Sequence, residues 1–257
     1  MSVLNTAIPF TKISKIKIYV NSNRKTMAQI KRDLGCDYLI NAGLYNMTTF
    51  KPMNMLVSDG DTLANSKGKY GMSFCDGSIT LTYENNTLSP EHVSGYPCLL
   101  KDGQKAFSAT PSGLGGKRGR SAIGYGTHAI VLYCCSDGND ALYLDDLRSK
   151  MKSLGCINAI NLDGGGSSQC DFNGKQIRSS RIVHNYIAIW LKHDGTVKIV
   201  STKSKPLNIR EGAPNAFGIN NSKVIGTYSK GEYVTVYETR SGWCRTNRGW
   251  VSGIYLK

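Results

Sequence analysis

Only two stretches of this 257-residue chain carry a helical period, and most of the remainder reads as short strands. The first begins at Thr26, an N-cap residue by type, and sets Met27, Ile30 and Leu34 on one face before Gly35. The second carries Leu144, Leu147, Met151 and Leu154 and stops at Gly155. Strand-type segments such as Lys15–Val20, Ser78–Tyr83, Ile130–Cys135 and Tyr186–Lys192 alternate with turns rich in Gly, Asn and Asp. The expected fold is α+β (mixed α/β), a strand-rich domain over residues 1–200, followed by a small all-β barrel over 206–257.

The two helical stretches lead into similar segments. Leu34-Gly35-Cys36 leads to Asn41-Ala42-Gly43, and Leu154-Gly155-Cys156 leads after an equal interval to Asn161-Leu162-Asp163-Gly164. Each unit reads as helix, Gly stop, apolar strand and a polar turn. Both strands deliver an Asn to their C-terminal end, where open sheets build sites. Coincidence of two ordinary helix–strand units explains the pattern equally well.

Lys and Arg number 32 against 18 Asp and Glu, a net charge of +14. Such a surplus attracts polyanions. The basic residues are scattered rather than gathered in one helix or arm, which argues against specific nucleic-acid recognition. Mean hydropathy is −0.28, and no apolar run approaches the ~20 residues of a membrane helix. No membrane partner is expected.

Eight cysteines raise the question of disulfides. The opening MSVLNTAIPF lacks the basic and apolar regions of a secretory leader. Most cysteines sit in apolar strings such as Val131-Leu132-Tyr133-Cys134-Cys135, and no Cys/His spacing suits zinc. Buried free thiols are expected, in a chain that is cytoplasmic until released.

Four segments carry chemistry. Ile160-Asn161-Leu162-Asp163-Gly164-Gly165-Gly166-Ser167-Ser168 delivers one carboxylate into a triple-Gly turn. Gly164, Gly165, Gly166, Ser167 and Ser168 form a candidate anion cradle, with Asp163 placed for proton transfer or attack. In Asn41-Ala42-Gly43-Leu44-Tyr45-Asn46, two amides bracket an aromatic, a pattern that grips sugars and also makes ordinary turns. Arg120 opens an apolar strand, where a guanidinium fork suits phosphate, or simply lies on the surface. Arg181-Ile182-Val183-His184-Asn185 opens another strand.

In this order the segments NAGLYN, SGYPCLLKDG, GRSAIG, NLDGGGSS and RIVHN resemble the phosphodiester glycosidase family over roughly residues 10–195. NLDGGGSS matches that family's pattern almost unchanged, whereas Leu44-Tyr45 stands where paired Phe is usual and Pro52-Met53-Asn54 where Pro-x-Gly is usual. The resemblance implies hydrolysis of a sugar-1-phosphodiester at the anomeric C–O bond. It assigns Asp163 and Arg120 to catalysis, the Gly164–Ser168 turn to phosphate, and Asn41, Asn46, Asn161, Arg181 and Asn185 to the sugar. No cofactor is implied, and room is left for a divalent cation.

The Ser201–Pro206 linker (STKSKP) leads into a tail that, counted from Lys205 within it, holds eight basic and three acidic side chains, or +5. LNIREGAPN, YSKGEYVTVYE and GWCRTNRGWVSGIYL resemble a bacterial SH3-type module, which implies cell-wall binding through Trp243 and Tyr255. The combined expectation is a phage or prophage hydrolase acting on an anionic glycopolymer of the bacterial wall. Two rivals are a non-catalytic wall-binding protein on a glycosidase scaffold and a cytosolic enzyme acting on nucleotide sugars.

Overall fold

A computed structural model describes residues 2–65, 69–83, 89–107, 113–192 and 195–257. The chain forms two compact units, Met1–Leu191 and Lys192–Lys257.

Two sheets of the first unit share one core. One sheet runs in the order Val3–Pro9, Ala129–Cys135, Arg120–Tyr125, Asn158–Asn161, Cys98–Lys101, Gln104–Lys105. The other runs Lys175–Ile177, Cys170–Phe172, Tyr38–Asn41, Asn185–Leu191, Ile13–Val20. Side chains alternate between faces, as the strand period demands. Ile123, Leu132 and Ile160 of the first sheet meet Ile18, Ile40 and Ile187 of the second between them. A third sheet, which includes Leu56–Ser58, Tyr70–Cys75 and Glu91–Ser94, adds Leu56, Met72, Phe74 and Val93 to that core.

Both helices lie on the outside. Helix α1 (Met27–Leu34) has a capping box between Thr26 and Gln29 and ends at Gly35 in the left-handed region. Its Met27 and Ile30 pack with Leu39, Tyr186 and Ala188 on the outer face of the second sheet. Helix α2 (Leu144–Ser153) packs Leu144, Leu147 and Met151 against Ala122, Val131 and Tyr133 of the first. Both sheets are therefore covered on two sides, which accounts for their nearly continuous apolar strands.

The α+β expectation is corrected here. Helices of eight and ten residues stand against a chain built mostly of strands. Every strand pairing among the described residues is antiparallel, so neither helix serves as a crossover between parallel strands. The eight cysteines are free, and all but Cys75 are buried.

The second unit has a five-stranded sheet in the order Val224–Tyr228, Leu207–Arg210, Gly249–Ser252, Trp243–Thr246, Glu238–Arg240. The expected closed barrel is not found among the described residues. Tyr233–Val236 pairs with Thr196–Ile199 in a separate ribbon instead of joining the edges of the sheet. That ribbon also draws the unit's start back to Lys192, so the Ser201–Pro206 linker lies within it.

Candidate active site

The two helix–strand units bring their polar turns together. Asn41 Nδ2 donates to Asp163 O at 2.8 Å, and Asp163 N donates to Ala42 O at 2.8 Å. Asn41 Oδ1 accepts from Ser121 Oγ (2.6 Å) and Gln169 N (3.1 Å). Fully buried, with its oxygen accepting twice and its nitrogen donating once, Asn41 is a clamp between the sheets.

Above this clamp stand Asp163, Ser167 and Arg181. Asp163 is half-buried, and its Oδ1 accepts from the Gly164 amide at 2.9 Å. Burial raises its carboxyl above the ordinary value, opposed by the Ser167 hydroxyl, the Gly164 amide and the Arg181 charge. Arg181 is half-buried, and its Nη1 donates to Ser167 Oγ at 3.1 Å. No carboxylate pairs with Arg181 within salt-bridge distance among the described residues. Tyr45 closes the group from the ribbon it forms with Lys51–Pro52, donating its hydroxyl to Ile182 O at 2.9 Å. Its phenol is pushed up by burial, with Asp163 adding to the rise and Ser167, Arg181 and Arg24 opposing it.

The glycines permit close approach. A Cβ on Gly164 would stand 2.7 Å from Gly119 O, and one on Gly166 2.8 Å from Arg181 Nη2. As an amide cradle, however, the turn is largely spent. Gly164 N serves Asp163, Gly165 N serves Gly119 O, and Ser167 and Ser168 close onto Gly164 O and Gly165 O. Gly166 is the remaining amide. Ser168 is buried, and its hydroxyl lacks a partner among the described residues.

Arg120 departs most from expectation. It shares a strand face with Ala122, which packs toward α2, whereas Ser121 and Ile123 face the other sheet. Its buried guanidinium donates to the carbonyls of Leu142 (3.0 Å), Leu114 (2.9 Å) and Gly116 (3.0 Å). Burial lowers its pKa. Arg120 thus holds the loops behind the turn, and the cation facing Asp163 is Arg181.

Of the other residues expected at the sugar, Asn161 and Asn185 are buried, whereas Asn46 is exposed. Asn161 is buried and donates to Tyr96 O at 2.7 Å. Asn185 is buried and grips Gly43, accepting from its amide at 2.6 Å and donating to its carbonyl at 3.3 Å. Asn46 is exposed, and its Oδ1 accepts from Thr48 and Thr49 amides, both at 2.9 Å, in a local turn. Trp243 and Tyr255 belong to the second unit, where both line one groove.

Two charged residues at the rim carry little signal in the sequence. Asp137 accepts from the Gly119 amide, and its Oδ2 would lie 3.8 Å from a Cβ on Gly165. The Ser136-Asp137-Gly138 turn at the end of an apolar strand is its only local mark. Arg24 stacks 4.1 Å over the Phe50 ring, which in turn meets Tyr45 and His184. It sits in an Asn-rich turn with no distinguishing pattern.

The family model described as phosphodiester glycosidase matches residues 34–190, more than half of the chain. The chain belongs to the phosphodiester glycosidase family. Asp163, Ser167, Arg181 and Tyr45 all fall within the family match, whereas Arg24 and the second unit lie outside it. N-acetylglucosamine-1-phosphodiester alpha-N-acetylglucosaminidase of Mus musculus is 26% identical over 178 residues, covering 59% of this chain and 34% of that protein. The chain thus spans about a third of the length of this curated relative. Two solved structures share the fold. A hypothetical protein from Synechocystis has a TM-score of 0.63 at 14% identity, covering 74% of this chain and 59% of its own. The zebrafish catalytic domain of N-acetylglucosamine-1-phosphodiester alpha-N-acetylglucosaminidase, auto-inhibited by its pro-peptide, has a TM-score of 0.58 at 16% identity, covering 75% and 89%.

Proposed function

We propose that the first unit hydrolyses a sugar-1-phosphodiester at the anomeric C–O bond, releasing a free sugar and a phosphomonoester. The observation that carries this is the meeting of Asp163, Ser167 and Arg181 at one turn, inside the stretch that the family model matches.

Arg181 is the cation for the diester phosphate. Its guanidinium is tied to Ser167 through Nη1, lies against Gly166 and has no carboxylate within salt-bridge distance among the described residues, so its charge is left for an anionic phosphate oxygen. Asp163 is the base. Its Oδ1 is fixed by the Gly164 amide, and a pKa raised by burial brings a carboxylate nearer the range useful for accepting a proton. Water attacks the anomeric carbon as the C–O bond to phosphate breaks, and its proton passes to Asp163. The departing phosphomonoester takes the bonding electrons and is itself a weak base, so no second carboxyl need protonate it, unlike the usual glycosidase pair. The relative's name makes N-acetylglucosamine the first sugar to test. The net charge of +14 favours a polyanionic substrate, a surface glycopolymer linked through phosphodiesters.

The test substrate is N-acetylglucosamine 1-phosphate esterified with 4-nitrophenol. In water enriched in heavy oxygen, cleavage at the anomeric carbon gives free sugar and 4-nitrophenyl phosphate without label in its phosphate, whereas attack at phosphorus puts the label into the phosphate of 4-nitrophenyl phosphate or of sugar 1-phosphate. Release of the first pair, abolished in Asp163→Asn, is the expected result. Label in the phosphate, release of 4-nitrophenol and sugar 1-phosphate, or turnover of none of a range of sugars sinks the proposal.

A further inference from the structure

We propose that the second unit binds phosphate-bearing glycan chains in a groove of its own, separate from the site of hydrolysis. The groove is about 730 Å³ and is lined by Lys203, Lys205, Arg210 and Lys257 together with Trp243 and Tyr255. No Asp or Glu lines it. Of the unit's three described acids, Glu238 pairs with Arg245 (3.1 Å), Glu232 approaches Arg248 (3.8 Å), and the exposed Glu211, which follows Arg210 in the chain, forms no ion pair among the described residues; none of the three lines the groove. The groove's four cations have no carboxylate partner among the described residues.

Concave walls lined by one sign of charge concentrate a field that draws in anions. The aromatics give the groove a second character. Trp243 is anchored by its Nε1–H to Gly218 O at 2.8 Å, and the Arg210 guanidinium lies 5.9 Å from its ring centre. Tyr255 and the neighbouring Ile254 are exposed, at 41% and 77%. Aromatic faces beside cations that no carboxylate neutralises, with Arg210 held by its donation to Ser222 O at 2.6 Å, suit a chain whose units alternate apolar sugar faces with phosphate. Neutral glycans leave the cations unused, and isolated phosphate leaves the aromatics unused. The choice of a glycan phosphate over nucleic acid rests on the reading of the first unit as a phosphodiester glycosidase.

The test uses the full chain with Asp163→Asn, so that the probe survives. The probe is an oligomer of glucose units joined through 1→6 phosphodiesters, compared with neutral dextran of equal length and a single-stranded oligonucleotide. The oligomer should bind, more weakly as salt rises, and better than either control. The exposed triple change Lys203→Ala, Lys205→Ala, Lys257→Ala should weaken it at least tenfold and remove most of the salt dependence. The corresponding triple change to Arg should retain binding, which separates loss of charge from loss of fold, and Tyr255→Ala should weaken binding at high salt. Equal binding of dextran or oligonucleotide, or an alanine triple as tight as its parent, overturns the proposal. Turnover of the small nitrophenyl diester by the chain with Asp163 intact is measured separately. Its absence would defeat the hydrolase reading and leave the binding result to stand or fall alone.

Discussion

The Arg181 guanidinium lies against Gly166 so closely that a Cβ there would stand 2.8 Å from Nη2 and 3.0 Å from Cζ. Those atoms are the far end of a flexible side chain, so Gly166→Ala would displace Arg181 without breaking the fold. Misplacing a substrate-positioning group by about 1 Å costs up to about 100-fold in rate. Gly166→Ala should therefore lower kcat/KM by roughly 10- to 100-fold while leaving the thermal melting point near that of the parent. A variant with unaltered turnover would remove Arg181 from the site.

Arg120 and Arg181 should fail in opposite ways. Lysine at position 120 cannot reach the carbonyls of Leu114, Gly116 and Leu142 together. Each carbonyl left buried without a donor costs about 1–3 kcal/mol. Arg120→Lys should thus lower the melting point by several degrees, with turnover of the folded fraction within a few-fold of normal. Arg181→Lys should do the reverse, losing turnover with little change in melting. The same pattern in both variants would refute the division.

Asp163→Asn should reduce turnover by at least about 100-fold, the usual contribution of a general base. Its stability should also carry a sign. Because burial raises the native pKa, the folded chain retains a proton that the unfolded chain has released, and the parent loses stability as pH rises through that window. The variant escapes this loss. Urea titrations at about pH 4 and about pH 7 should show its stability rising relative to the parent at the higher value.

His184 should give the opposite slope. It is buried, its ring stacked 6.2 Å from that of Tyr45 and edge-on to that of Phe50 at 5.2 Å, and its Nδ1 lies 3.0 Å from Asn185 Nδ2. Accepting that N–H requires an unprotonated Nδ1, and burial lowers the native pKa. Below about pH 6.5 the unfolded chain takes up a proton that the native chain refuses, so stability falls as pH falls through that range. Replacement by Gln should flatten this part of the stability profile. An unchanged slope would mean that another group sets it.

Where the chain is cut should matter. Ending at Leu191 leaves the first unit whole, and such a fragment should turn over a small soluble diester at the parent rate. Ending at Ser204 retains Thr196–Ile199 without its partner Tyr233–Val236, an exposed strand edge that should promote aggregation. Light scattering of the two fragments at matched concentration checks this.

Legibility in the sequence depends on range. Both helices are legible because caps and apolar spacing are local, and the Asp163 turn is legible because three consecutive glycines have few other uses. Strand direction is not. A helix followed by Gly and an apolar strand is common to crossover units and to helices that merely cover antiparallel sheets. Arg120 misleads because its type suits phosphate, while its orientation is fixed by strand parity. With Ser121 facing Asn41, parity turns Arg120 away from it. The open sheet of the second unit depends on Tyr233–Val236 choosing one partner over another, a long-range choice that no local pattern records.

The Asn41 amide, bonded at once to Ser121 in one sheet, to Gln169 and to the Asp163 carbonyl, makes the seam of the fold and the floor of the site a single object. Inactivation screens cannot distinguish the two. On the proposed mechanism, losing Asn41 and losing Asp163 should both silence turnover, the first by letting the halves drift and the second by removing the proton acceptor. A substitution at Asn41 should accordingly cost turnover as surely as one at Asp163, even though its side chain is buried in the seam.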